Sequence, residues 1–244
     1  MSVEIEQPAP RSRLGERAAA LFEVILCSDY PTQIAIAAAL LLAGYSPYSS
    51  AGQLQLGYVF ALSVIDAAVL VGLILLLLWI HGESPRQVLL GTRPVGREAA
   101  IGLPLTLVVI TIGVGLLFVI QELAPRLHNV AVNPLEGLIK SPRDAALFAV
   151  LTLVAGGFRE EIQRAFILHR FEQSLGGPVV GLVISSIGFG AGHFLQGWDA
   201  MITTGVLGAF WGVVYLRRRS IAANVVSHAG FDTLEIVQYL LLHH

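Results

Sequence analysis

Positions 57–80 carry a single charged side chain, Asp66. A run of about 20 apolar residues is what a helix needs to cross the roughly 30 Å hydrocarbon core of a bilayer. Six further apolar runs follow the same reading: 34–45, continued backward through 18–27 with a kink at Pro31, then 99–119, 145–168, 178–194, 200–216 and 221–242. The chain is therefore expected to be all-α, a polytopic transmembrane helix bundle of about seven spans. Composition agrees, because 55% of the 244 residues are hydrophobic and only 13% are charged, against roughly 25% charged in a soluble domain.

The rest of the charge inventory narrows the class. A net charge of -2, with Arg217 to Arg219 the longest basic run, makes nucleic acid an unexpected partner. Cys27 is the only cysteine, so no internal disulfide and no Cys-based zinc site can form. The first residues are polar and mixed in charge, unlike a secretory signal, and read as a cytoplasmic tail over 1–18. Arginines near 11–17, 86–97, 170 and 217–219 favour a cytoplasmic N-terminus, against the opposing Arg126, Lys140 and Arg143. The expected division is that tail, N-terminal helices over 19–144, and a C-terminal helical core over 145–242 that carries the site, in a multi-pass protein of a plasma or inner membrane.

Charge inside the spans is the informative exception. A charged side chain at bilayer depth costs on the order of 3 kcal/mol, so such groups usually pair, face a cavity and mark function. They concentrate here in FREEIQRAF, 158–166, with Arg159, Glu160, Glu161 and Arg164; in His193; and in the stripe Asn224, His228 and Asp232. Measured along the helices at about 1.5 Å per residue, these groups reach a similar depth. Glu160 and Arg164, four apart, suit an internal ion pair, with Glu161 rotated away. Asp66 stands isolated, and Glu235 is placed for a supporting contact. Glycines at 188, 190, 192, 205, 208 and 212 suit close helix packing.

Such a set can activate water. A buried carboxylate serves as general base on a water that an imidazole holds, while a second histidine and a neighbouring carboxyl or amide stabilise an oxyanion. Two histidines and a glutamate would equally take zinc with one position left to water. There is no helical H-E-x-x-H, no G-x-S-x-G and no Gly-rich phosphate loop.

These residues resemble the CPBP family, the CAAX prenyl proteases and bacteriocin-processing or immunity proteins, which are glutamate-type intramembrane endopeptidases. The family pattern is E-E-x-x-x-R on one helix, F-x-x-x-H on the next and H-x-x-x-N/D on a later one. Phe189 and His193 match the second part, and His228 and Asp232 the third. The first part reads E-E-x-x-R here, one residue short, with Ala165 after the arginine. Aligned on the paired glutamates, Glu160 is the base and Glu161 its support; aligned on Arg164, Glu160 takes the second place and Arg159 replaces the first.

The resemblance implies a membrane endopeptidase, a hydrolase whose catalytic set is Glu160, Glu161, Arg164, His193, His228 and Asp232. It implies a membrane-anchored or prenylated peptide or protein as substrate, met from the lipid bilayer. A glutamate mechanism requires no cofactor, and a divalent metal such as zinc stays open. Two other readings remain: a non-catalytic scaffold or immunity-like protein of the same fold, and a transporter or proton channel using Asp66, Glu160 and Asp232, which the absence of an internal repeat disfavours.

Overall fold

The computed structural model describes residues 13–243. The expected tail lies outside the described residues as far as position 12, and from Arg13 the chain is already helical. The helices are α1 Arg13–Leu26, α2 Tyr30–Leu42, α3 Leu56–Ile80, α4 Pro85–Leu90, α5 Val95–Leu123, α6 Pro142–Thr152, α7 Glu161–Ser174, α8 Pro178–Ala191, α9 Trp198–Arg218 and α10 Ala222–His243. Local chemistry sets several boundaries. Proline occupies the first turn of α2, α4, α6 and α8, where its missing N–H is not needed. Ser84 and Ser141 accept hydrogen bonds from the Gln87 and Asp144 amides and so cap α4 and α6.

The all-helical class holds, and the protein is an integral membrane protein, but seven spans are not supported. Among the described residues three helices are long and apolar enough to cross a bilayer: α3, the unit Pro85–Leu123, and α9. The count rises to four if α1 and α2, bent by 46° at their break, form one broken span. Two of the expected spans, 145–168 and 221–242, are helical but interrupted by polar and charged side chains, while α8 is short at 14 residues. These three are the elements that build the interior site. On α5, Leu103, Leu107, Val114 and Phe118 are each more than half exposed, an apolar stripe suited to face lipid.

Between α6 and α7 the expected continuous span is interrupted. Leu153–Glu160 is π-helical, a wider turn that is rare and tends to occur at functional positions. Gly156 and Gly157 lie within it and lower the barrier to such a distortion. The widened turn packs against α10: a Cβ on Gly157 would stand 2.9 Å from the Ala229 Cβ.

The main apolar core joins α3, α4, α7 and α9 through Leu70, Ile74, Leu78, Leu89, Phe166, Leu168 and Tyr215. At one end of it a polar network binds α1 to α7 and to the turn after α3. Glu23 accepts from Arg170 Nε at 2.6 Å and from the His81 ring at 2.6 Å, and Glu83 accepts from Arg170 Nη1 at 2.6 Å, from Gln173 and from His169. Burial pushes the Glu83 carboxyl up, but these hydrogen bonds and the arginine charge outweigh it and hold it below the ordinary value of 4.5.

α8 and α9 approach closely, as four of the six expected glycines allow. A Cβ on Gly190 would meet the Met201 carbonyl oxygen at 2.5 Å and the Gly205 Cα at 3.0 Å, whereas a Cβ on Gly188 has nothing within 4 Å. Gly190→Ala therefore forces backbone apart and is expected to lower the melting temperature in detergent by several degrees, with Gly188→Ala unchanged; overpacking of this kind costs about 1–3 kcal/mol. A second expectation concerns acid. Because the folded pKa of Glu83 lies below the unfolded one, its stabilisation is present above pH 4.5 and is lost as pH falls through the folded value. The melting-temperature gap between wild type and Glu83→Gln should be widest near neutrality and shrink below about pH 4.5, measured by tryptophan fluorescence.

Candidate active site

Three consecutive residues at the end of the π segment point to three different neighbours. Arg159 pairs with Asp29, at the α1–α2 break, and donates from Nη1 to Asp66 Oδ2 at 2.9 Å and from Nη2 to Glu160 Oε1 at 3.0 Å. Glu160 turns its other oxygen, Oε2, towards His228 Nε2 at 3.7 Å. Glu161 points the opposite way, into α9 and α10.

Glu161 has almost no exposed surface, at 1%, and every side-chain partner it has is polar. It pairs with Arg164, receives a hydrogen bond from Asn224 Nδ2 at 2.9 Å, and lies 2.9 Å from His228 Nδ1. The expected Glu160–Arg164 pair is thus replaced by Glu161–Arg164. Residues three apart on a helix are neighbours just as residues four apart are, and Asn224 and His228 reach Glu161 from α10. Asp66, expected to be isolated, is buried against Arg159 instead.

A carboxylate can only accept, so the hydrogen between Glu161 and His228 sits on Nδ1. The ring is held on its face as well: it stacks on Trp211 with centroids 3.9 Å apart and planes 17° apart. Trp211 is itself fixed by donation from Nε1 to Ser227 Oγ at 3.0 Å, and its backbone carbonyl accepts from Asn224 at 2.8 Å. His228 Nε2 is consequently aimed at one place, 3.7 Å from Glu160 Oε2 and 3.9 Å from Asp232 Oδ1. Gly156 keeps that place open, because a Cβ there would come within 2.5 Å of Asp232 Oδ2.

His193 stands at the rim. Half-buried after α8, it contacts the Phe189 carbonyl through Nδ1 at 3.0 Å. Its link to the cluster is the Phe189 ring, whose centroid is 5.1 Å from His193 and 6.1 Å from His228. The Arg164 guanidinium lies over the other side of Phe189, at 4.7 Å. So Glu160, Glu161, Arg164, His228 and Asp232 come together, while His193 makes no ion pair with any of them among the described residues. Glu235 lies exposed on the outer side of α10. No three His, Cys, Asp or Glu side chains among the described residues are grouped as a metal ion would require. Sequence reasoning missed Trp211, Gly156 and Asp29. Nothing in GAFWGVV separates a stacking tryptophan from a packing one, and Asp29 reads only as an interruption between apolar runs.

A membrane helix bundle with paired glutamates, an arginine, a histidine and an aspartate gathered between its helices, and a second histidine at the rim, is the class that the geometry defines. Residues 142–234, under half of the chain, match the family model described as type II CAAX prenyl endopeptidase Rce1-like. The match takes in the π segment, α7, α8, α9 and the polar stripe of α10. No curated protein and no solved structure matches the chain.

The knot around Glu161 predicts its own fragility. Asn224→Ala strips a hydrogen bond from Glu161 and another from the Trp211 carbonyl, both buried, and an unsatisfied buried group costs about 1–3 kcal/mol. Thermal unfolding in detergent should show a clear drop for Asn224→Ala and one at least as large for Asn224→Asp, whose carboxylate keeps the volume but can only accept and faces both Glu161 and the Trp211 carbonyl.

Proposed function

We propose that this protein is an intramembrane endopeptidase of the CAAX-protease type, with its N-terminus cytoplasmic, acting on a membrane-anchored or prenylated peptide. The observation that carries the reading is the unequal treatment of the two glutamates. Glu161 is bound at both oxygens, by Arg164 and His228 at one and by Asn224 at the other, and is not free to take a proton. Glu160 is held at Oε1 alone, and its Oε2 faces His228 Nε2 across a gap of 3.7 Å.

Glu160 is the general base of this mechanism. In this scheme Oε2 takes a proton from a water that lies between Glu160 and His193. The water oxygen attacks the scissile carbonyl carbon, and the carbonyl oxygen becomes an oxyanion beside His228 Nε2 and Asp232. With Nδ1 already donating to Glu161, Nε2 donates only when the ring is an imidazolium, whose charge Glu161 and Glu160 flank. Asp232 donates only in its protonated form. Collapse of the intermediate breaks the C–N bond, and the proton held on Glu160 passes to the leaving amine. No metal takes part in this scheme.

The test is cleavage of prenylated and unprenylated membrane-anchored peptides by the purified protein in vesicles, followed by mass spectrometry. Loss of a general base typically costs about 10²–10⁴ in rate, so Glu160→Gln should fall by about a thousandfold, and Glu161→Gln by less. Asp232→Asn, whose amide donates at any pH, should stay within about tenfold of wild type. A chelator should leave the rate unchanged. If Glu161→Gln is dead while Glu160→Gln cuts, the assignment of the base is reversed; if wild type cuts nothing, the protein is a scaffold of this fold.

A further inference from the structure

Arg159 lies outside the residues that the proposed reaction uses, yet it is 5% exposed and nearly saturated with partners. Four of the five guanidinium N–H groups are engaged: Nε with the Ala155 carbonyl at 3.3 Å, Nη1 with Asp29 and with Asp66 Oδ2, and Nη2 with Glu160 Oε1. A planar fork bound along two edges cannot swing.

The division of its donors matters for Glu160. An unrestrained arginine meets a carboxylate through two parallel hydrogen bonds and engages both oxygens. Here the two aspartates hold Nη1, so only Nη2 reaches Glu160, and only at Oε1. The guanidinium charge is shared among three carboxylates. Glu160 is thereby oriented while Oε2 stays free.

The two aspartates come from outside the Rce1-like segment. Asp66 lies in α3 and is 1% exposed. Asp29 sits at the α1–α2 break with φ 79, a left-handed backbone that a non-glycine residue keeps only when its surroundings fix it. Two further contacts fix it. Gln33 Nε2 donates to Asp29 Oδ2 at 2.6 Å, and Gln163 Nε2, from α7, donates to the neighbouring Cys27 carbonyl at 2.8 Å.

We propose that Arg159, bracketed by Asp29 and Asp66, is the positioning residue of the Glu160 carboxylate, so that the N-terminal helices complete the active site. This rests on the endopeptidase reading for its kinetic consequence, though not for the contact itself.

The experiment uses the full chain in vesicles and reads two quantities. Kinetics should show Arg159→Gln lowering kcat by at least about 100-fold with KM within about threefold, as expected when an oriented catalytic group is lost. Arg159→Lys, which keeps the charge but reaches fewer partners, should recover about tenfold of that loss. The double variant Arg159→Gln/Asp66→Asn removes a charge of each sign, guards against misfolding, and should be as slow as Arg159→Gln. Independently of activity, dicyclohexylcarbodiimide, an apolar reagent that modifies protonated carboxyls, should label Glu160 slowly in wild type and about tenfold faster in Arg159→Gln, with Glu161 labelling unchanged. A kcat within threefold of wild type, a loss carried by KM, or unchanged Glu160 labelling overturns the proposal. If wild type cleaves nothing, the endopeptidase reading fails, and the labelling still decides whether Arg159 governs Glu160.

Discussion

A carboxylate with 1% of its surface exposed, between helices of a membrane protein, survives as an anion only if its surroundings replace the water it has lost. Glu161 meets that condition through Arg164, Asn224 and His228, which come from its own helix and from α10. Each partner is then constrained in turn. Arg164 is laid over Phe189 and Trp211, Asn224 clamps the Trp211 carbonyl, and His228 is pinned at Nδ1 and stacked on the indole. The orientation of His228 Nε2, on which the proposed chemistry depends, is thus a by-product of neutralising a buried charge.

The second glutamate stands where the π segment gives way to α7. Adjacent residues of a helix point about 100° apart, so the two carboxylates face different neighbours. The wider turn ending at Glu160 gives Arg159, Glu160 and Glu161 separate environments: the N-terminal helices, the open centre and the α9–α10 interface. The glycines at 156 and 157 serve both purposes, easing the distortion and letting α10 approach close enough for Asp232 to lie over the gap. The shortened E-E-x-x-R spacing is absorbed because Arg164 reaches its glutamate across three residues instead of four.

Much of this could be read in advance, for identifiable reasons. Intramembrane charge is rare, so Glu160, Glu161, Arg164, His228 and Asp232 stood out from composition alone, and the period of four along Asn224, His228 and Asp232 put them on one face. Pairings were less legible. The choice of Arg164 between two glutamates depended on contacts from α10, and the partner of Asp66 lay 93 positions away at Arg159. Seven spans were not confirmed, because apolar content cannot distinguish a lipid-facing helix from one that turns its apolar and charged faces to other helices, as α10 does. His193 matched a pattern in sequence, yet its placement beside Phe189 leaves it at the rim, since α8 ends at Ala191 and the chain turns away after it.

Charge balance links the site to the rest of the bundle. Within the connected cluster, Arg159 and Arg164 face five acids: Asp29, Asp66, Glu160, Glu161 and Asp232. His228 in its imidazolium form adds a third positive charge, and it is the one member placed between Glu160, Glu161 and Asp232. A buried cluster with an excess of acids retains protons or cations to offset it. That excess is what a reaction passing protons between water, carboxylate and leaving amine would draw on. The same excess is why Asp29 and Asp66 matter although they lie outside residues 142–234: they hold Arg159 Nη1 and so leave a single donor for Glu160 Oε1.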